Sequence, residues 1–338
     1  MRVGIVGTGA IARKHAQAYR NIGYQLVACG GLHAARAIQF AEQYGSEAVQ
    51  PWQDMCRRTD LDFVDVCTFP DVRLEPVTLC AAARIHVQVQ KPMATNLETA
   101  RGMLAAARDA GILLGVVSQH RFDDSIQFLK RAIGVGRLGK ILQADAYVKW
   151  HRSAEYYARP VKGSWATEGG GALINQAIHQ VDLLLWLAGR VRRVAGEWQL
   201  GAVHRMESED VVNAVMRYAS GATGVIQAST AIKPGSPERL EIHGTAGTAI
   251  VTGDRLTTWD VENDSGEQPP LAGVAASGAS DPMAISLAPF ERQFRDFGDA
   301  IRSGRAPLSS GEDGYRALEV VEAIYRSCRE GCVVTLDG

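Results

Sequence analysis

Val3-Gly4-Ile5-Val6-Gly7-Thr8-Gly9-Ala10-Ile11-Ala12 stands near the start of the sequence. Its apolar run ends at glycine, as a buried parallel strand does. The next six residues have the spacing G-x-G-x-x-A, and residues 10–21 read as a helix. Gly7 permits a tight turn and Gly9 lets the backbone approach a pyrophosphate. Ala12 lets helix and strand pack closely, and the helix N-terminus faces the phosphates. A glycine pattern alone is a weak signal; between a strand and a helix it has the context that dinucleotide binding requires. Gly7, Thr8, Gly9, Ala10 and Ile11 are the expected cofactor contacts, against the competing reading of a turn with no ligand.

Strand and helix signals alternate beyond this stretch. Residues 25–29 read as the second strand, followed by Gly30-Gly31-Leu32-His33. An acid at that point holds the ribose hydroxyls in NAD-selective folds. None is present, and Arg36 lies about one helical turn further on, so NAD or NADP is expected with the preference open. Gly31, His33 and Arg36 join the cofactor set. Helices are expected over 34–44 and 72–83, and strands over 61–68, 86–89 and 112–118. Thr95 and Glu98 have capping-box spacing for a helix over 96–110. This order predicts an α/β fold with a doubly wound parallel sheet over residues 1–121. Such sheets bind ligands beyond the carboxyl ends of their strands, which places Thr68, Pro70, Lys91 and His120 near the ligand. A lysine between strand and helix is more often a solvated loop charge. Pro92, however, biases Lys91 toward an extended conformation that aims its amine above the strand ends.

Residues 122–305 read as a second, α+β domain. A helix is expected over 123–137, a long strand over 139–150 and a helix over 172–188. Strands follow at 191–199, 210–218, 221–229, 238–243 and 248–252. Consecutive strands imply a large, open, mostly antiparallel sheet, a suitable surface for a homodimer or homotetramer. Residues 263–283, rich in Gly, Pro, Ala and Ser, read as a mobile loop. A helix over 290–303 follows. Residues 306–338 form a third piece, whose helix over 313–330 is expected to pack back on the nucleotide domain.

Within 168–182 the sequence is Glu-Gly-Gly-Gly-Ala-Leu-Ile-Asn-Gln-Ala-Ile-His-Gln-Val-Asp. The glycines allow close approach to a ligand or to another chain segment. In a regular helix Asn175, His179 and Asp182 share a face, and a flanked imidazole suits acid–base chemistry. Asp182 has a competing role as a cap or ion-pair partner. Arg121, Arg152, Tyr156 and Trp165 are candidate substrate contacts, with structural roles as the alternative.

Composition narrows the class. The 338 residues are 46% hydrophobic and 22% charged, with a formal net charge of -1. That balance gives no sign of nucleic acid or an anionic membrane as partner. No apolar run approaches the about 18 residues a membrane span needs. No secretory signal is read, and a cytoplasmic setting is expected. The six cysteines are scattered, Cys328 and Cys332 lack two further ligands nearby, and no metal site is expected.

The chain resembles the Gfo/Idh/MocA oxidoreductase family over nearly its full length. The pieces that carry the resemblance are Gly7-Thr8-Gly9-Ala10-Ile11-Ala12 with His15, Gln90-Lys91-Pro92, Gly136-Arg137-Leu138-Gly139-Lys140, and Gly169-Gly170-Gly171 with Asn175 and His179. The resemblance implies an NAD(P)-dependent dehydrogenase or reductase acting on a secondary alcohol of a sugar, cyclitol or nucleotide-sugar. It makes Lys91 the residue that hydrogen-bonds the reacting oxygen and His179 the general acid–base, with Asn175 able to orient the ring or bind a substrate hydroxyl; His120, from its strand end, is a further candidate substrate contact. Two positions depart from the family: Gln90 stands where Glu is usual, and Asn175 where Asp is common. A neutral Gln90 is expected to stabilise the Lys91 ammonium less than Glu would. The alternatives are an NAD-dependent glycosidase acting through transient C3 oxidation and a non-catalytic nucleotide-sensing regulator.

Overall fold

A computed structural model describes residues 1–159, 161–270, 279 and 286–336. The chain forms two compact units, Met1–Gln119 with Leu287–Tyr315, and His120–Ser286 with Arg316–Gly338.

In the first unit six strands form a parallel sheet: β1 (Arg2–Val6), β2 (Gln25–Gly30), β3 (Glu47–Ala48), β4 (Phe63–Val66), β5 (His86–Val89) and β6 (Leu114–Val116). Their order is β3-β2-β1-β4-β5-β6, the doubly wound topology, with its switch point between β1 and β4. Helices α1 (Ala10–Asn21), α2 (Ala34–Tyr44), α3 (Leu74–Ala82) and α4 (Leu97–Ala110) connect them. The strands are nearly continuous apolar runs because both faces are buried; Val3, Ile5, Phe63, Val64, Val66, Val87 and Val89 have no exposed surface. The cap of α4 is Asn96, whose side chain accepts from the Thr99 amide at 2.8 Å, rather than the expected Thr95–Glu98 box.

The second unit holds α5 (Asp124–Gly134), β7 (Ile141–Lys149), the one-turn helices α6 (Ala154–Tyr157) and α7 (Trp165–Glu168), α8 (Ile178–Ala188), β8 (Val191–Leu200), β9 (Glu209–Tyr218) and β10 (Thr223–Ser229). It continues with β11 (Arg239–Gly244), β12 (Gly247–Thr252) and β13 (Arg255–Val261), the last not anticipated from the sequence. With β14 (Val334–Thr335) these make one eight-stranded sheet, β13-β12-β11-β7-β10-β9-β8-β14. All its pairings are antiparallel except β7 with β10. Along β9 beyond Asp210 the alternation is clear: Val212, Ala214 and Met216 are buried, while Val215 is exposed on the other face. The expected loop over 263–283 lies largely outside the described residues.

The end of the chain is divided differently from the expectation. Helix α9 (Ala288–Ser303) belongs to the first unit, and α10 (Gly311–Glu330) passes to the second after Tyr315. Phe290, Phe294 and Phe297, at helical spacing, bring α9 onto His15 and Tyr19 of α1 and Phe63 of β4. The apolar face of α10 instead covers the second sheet. Ile324 and Cys328 lie over Gly196 of β8, where a Cβ would come within 3.2 and 3.0 Å of them. Tyr325 meets the Trp198 ring at 5.7 Å, and β14 then joins the sheet edge. The helix that returns to the nucleotide domain is thus α9, whereas the last helix, for which this was expected, lies with the first unit only up to Tyr315 and with the second sheet beyond it.

Candidate functional site

The first unit brings its expected cofactor residues to the carboxyl edge of the parallel sheet. Gly7 has φ +95, a conformation that favours glycine, and a Cβ there would lie 2.9 Å from the Cys67 carbonyl carbon. At Gly9 a Cβ would meet nothing within 4 Å, so the backbone beside the first turn of α1 is open to a ligand. No acidic residue stands in that turn to oppose an anion. The turn therefore fits a dinucleotide pyrophosphate. Gly31 is buried beside Gly7, whereas His33 and Arg36 are exposed at the start of α2. Leu32 is 80% exposed beyond β2, and Phe69 is 43% exposed beyond β4 between Thr68 and Pro70. These two apolar side chains, not singled out in the sequence, border the same edge.

Lys91 follows β5, half-buried, and the Lys91–Pro92 bond is cis. Its surroundings are built from residues the sequence leaves obscure. Arg73 is buried, and its guanidinium donates to the main-chain carbonyls of Thr68, Gln90 and Pro92. Burial pulls its pKa down to about 10, against the attraction of Cys67, Asp65 and Asp71. One cation thereby ties together the two loops that leave β4 and β5. Gln90 points inward. Its Oε1 accepts from the Lys91 amide at 2.6 Å, and its Nε2 lies 3.1 Å from His15 Nε2. His15 Nδ1 lies 2.7 Å from Asp65 Oδ2, which also accepts from the Tyr19 hydroxyl at 2.8 Å. The side chain of Gln90 is thus committed to His15 and to the Lys91 main chain.

In the second unit Leu173–Ala177 forms a π-helical turn before α8. Such turns often occur at functional sites, and this one breaks the regular phase expected from Asn175 to His179. Between residues 168 and 182, only Asn175 and His179 are partly exposed. The turn is held from below by Glu209. Its Oε2 accepts from the Gly171 amide at 2.8 Å, and its Oε1 accepts from the Leu173 amide and the Tyr325 hydroxyl, each at 2.8 Å. Burial pushes the Glu209 carboxyl up to about 7 against those three donors. The glycines serve this packing. A Cβ at Gly170 would lie 2.4 Å from the Tyr325 hydroxyl, and one at Gly171 would lie 1.9 Å from the Glu209 carbonyl oxygen. The close approach is to another chain segment, one of the two alternatives the sequence left open.

His120 is brought to His179, with ring centroids 5.1 Å apart and planes at 83°. Its Nδ1 is 2.7 Å from Asp123 Oδ2. Burial pulls the His120 pKa down, but Asp123, Glu238 and Asp254 outweigh it and raise it above the usual value. Arg121 takes the structural alternative: it forms a two-point ion pair with Asp182, and both side chains are almost fully buried. Arg152 is also buried, stacked over Trp150 and Tyr156 at 4.8 and 5.7 Å, and donates to the Ala279 carbonyl. Trp165 donates to the Glu207 carbonyl and packs on Trp198 and Tyr325. Tyr156 remains half-buried with its hydroxyl accepting from Gln176 at 3.3 Å, one turn from His179. Arg159 and Lys162 each lie 5.1 Å from its ring.

Comparison with known proteins gives the family. Residues 1–118 match the oxidoreductase family with an NAD-binding Rossmann fold, and residues 126–250 match the GFO/IDH/MocA C-terminal domain. The chain is 30% identical to the D-apiose dehydrogenase of Paraburkholderia graminis, over 98% of this chain and 88% of the relative. It is 26% identical to the myo-inositol 2-dehydrogenase of Thermotoga maritima, over 100% and 99%. The WlbA dehydrogenase of Bordetella pertussis, solved in complex with NADH and UDP-GlcNAcA, is similar with a TM-score of 0.87 and 30% identity, covering 100% of this chain and 99% of that one. On these grounds the chain belongs to the Gfo/Idh/MocA family of NAD-binding oxidoreductases.

Proposed function

We propose that this protein is an NAD(P)-dependent dehydrogenase or reductase acting on a secondary alcohol of a sugar, cyclitol or nucleotide-sugar. A bound nicotinamide supplies the hydride acceptor or donor. In the oxidation direction His179 takes the hydroxyl proton, and Lys91 donates a hydrogen bond to the oxygen as negative charge develops. The observation that carries the reading is the placement of Lys91. It stands just beyond β5, at the carboxyl edge where doubly wound sheets bind ligands, with the carbonyls on both sides of it clamped by Arg73. His179 and Asn175, the partly exposed pair of the glycine-led turn, supply the proton-transfer and hydroxyl-binding groups.

Within that class the second unit favours an acidic substrate. Arg152, Arg159 and Lys162 surround the Tyr156 ring, and Gln176 links Tyr156 to the turn that carries Asn175. Arg152 is buried on the carbonyls of His151 and Ala279 and Lys162 is paired with Glu168, so Arg159 is the cation whose exposed position suits a carboxylate or diphosphate on the substrate. The open face of the eight-stranded sheet is the surface we assign to self-association, as a dimer or tetramer.

The test is turnover of myo-inositol, D-apiose and UDP-linked uronic acids with NAD and NADP, read as reduced-nicotinamide absorbance. Lys91→Ala and His179→Ala should each lower kcat by a factor on the order of a hundred or more while NADH binding persists. Near-normal turnover by either variant overturns the assignment. Release of an aglycone without net NADH would favour the glycosidase alternative, and NADH binding with no turnover across the panel would favour the regulator.

A further inference from the structure

The hydrogen bonds beneath Lys91 run in one direction, and that direction can be deduced. The Lys91 amide is a donor, so the atom of Gln90 facing it must be the carbonyl oxygen. The Gln90 amide nitrogen then faces His15 Nε2, and being a donor it requires Nε2 to be bare. At the other side of the ring Asp65, as a carboxylate, requires Nδ1 to carry a proton. An amide flip would oppose two donors at Lys91, so the main chain excludes it.

Charge gives the same answer. His15 is faced by Asp65 of β4, by Cys67 just past it, by Tyr19 of its own helix, by Gln90 after β5, and by the rings of Phe290 and Phe294 of α9. Cys67 and Tyr19 are held in their neutral forms, chiefly by burial. The charged groups of this core are therefore Asp65 and Arg73, both buried and of opposite sign. A neutral His15 leaves the set balanced. A carboxylate at position 90 would add a second negative charge, which a proton on His15 Nε2 would both bond and neutralise.

We propose that Gln90 fixes His15 as a neutral imidazole protonated on Nδ1, and that this relay, with the Arg73 clamp, is the positioning device for the Lys91 peptide. The residue at position 90 thus selects the protonation state of the histidine beneath the reacting lysine. Gln90, His15 and Arg73 are positioning residues, and the proposal rests on the role assigned to Lys91 only for its effect on turnover.

The experiment is nitrogen-15 NMR of the full-length protein labelled at histidine, from about pH 6 to about pH 9. The His15 signals are assigned by their loss in H15Q. In the native chain one ring nitrogen should stay protonated and the other bare throughout. In Q90E both should be protonated at neutral pH. A doubly protonated ring in the native chain, or an unchanged neutral ring in Q90E, overturns the proposal; if Q90E does not fold, the native spectrum still decides the tautomer.

Turnover reads the positioning role. Q90M, which removes the relay but keeps the side-chain length, should lower kcat about tenfold while the Kd for NADH stays within about twofold. Q90E should recover most of that loss at low pH and forfeit it at high pH. Full kcat in Q90M overturns the positioning role. Because the NMR result needs no substrate, failure of the Lys91 assignment is distinguishable from failure of the relay.

Discussion

Arg121 grips Asp182 at two points, Nε to Oδ2 at 2.8 Å and Nη2 to Oδ1 at 2.6 Å, with side chains 3% and 4% exposed. The Arg121 guanidinium also lies 5.4 Å from the Trp186 ring centre. Both groups had a functional reading in the sequence, Arg121 toward substrate and Asp182 toward His179. The pair instead ties residue 121 to α8. Removing one member leaves a buried charge without its partner, which costs about 3–5 kcal/mol. Arg121→Met should therefore lower the denaturation midpoint markedly, while the substrate KM of whatever folds stays near normal. A raised KM at unchanged stability would return Arg121 to the substrate site.

Gly171 is fixed by a different constraint. Its missing Cβ would sit 1.9 Å from a main-chain oxygen, which cannot move aside as a flexible side chain could. Gly171→Ala must push β9 away from the π-helical turn and disturb both hydrogen bonds to Glu209. The expected loss is at least about 2 kcal/mol in chemical denaturation, together with lowered kcat because Asn175 rides on the same turn. An alanine variant of native stability would show that the turn can slide.

The doubly wound sheet was legible because its signals are local. Gly7, Gly9 and Ala12 announce one turn, and short apolar runs separated by helical stretches leave few topologies. The positions of Lys91 at a strand end and of His179 on a helix could likewise be read from spacing. Arg73 could not. Nothing local separates it from any surface arginine, because its role depends on carbonyls at 68, 90 and 92 that only the folded sheet gathers. Glu209 was hidden for the same reason, as a carboxylate at the start of a strand whose partners lie at 171, 173 and 325. The exchange of α9 and α10 had no local signal either. Both helices have an apolar stripe, and only tertiary packing decides that three phenylalanines suit α1 while Ile324 and Tyr325 suit β8.

Glu209 gives the second unit a pH dependence whose sign follows from its shift. Its carboxyl is raised from an ordinary glutamate value to about 7 in the folded state. Between those two values the folded chain holds the proton more tightly than the unfolded chain. Stability from this group is therefore fully present at low pH, falls as pH rises toward about 7, and is level beyond it. The span amounts to about 3 kcal/mol. Denaturation of the native chain and of Glu209→Gln, compared at about pH 5 and about pH 8, should show a steeper decline in the native chain. Parallel curves would mean that the carboxylate is already ionised across this range.

The contact between His120 and His179 predicts a kinetic signature. Asp123, Glu238 and Asp254 together favour the charged form of His120, against the pull of burial. The sign for stability is that of a raised base: the contribution is complete below the unfolded pKa and disappears as pH rises through the folded one. For catalysis the sign is set by repulsion. A charged His120 ring 5.1 Å from His179 disfavours a second proton on His179 and keeps it available as a base. Asp123→Asn removes the hydrogen-bonded partner of His120, so His120 loses its proton at lower pH and the repulsion weakens. His179 then holds its own proton more firmly, and the acidic limb of kcat/KM should move to higher pH by about half a unit to one unit. The plateau above that limb should be little changed, since His179 is free of its proton there in both enzymes. A limb that stays in place would show that His120 and His179 titrate independently, and a lowered plateau with no shift would assign Asp123 a role in holding the fold alone.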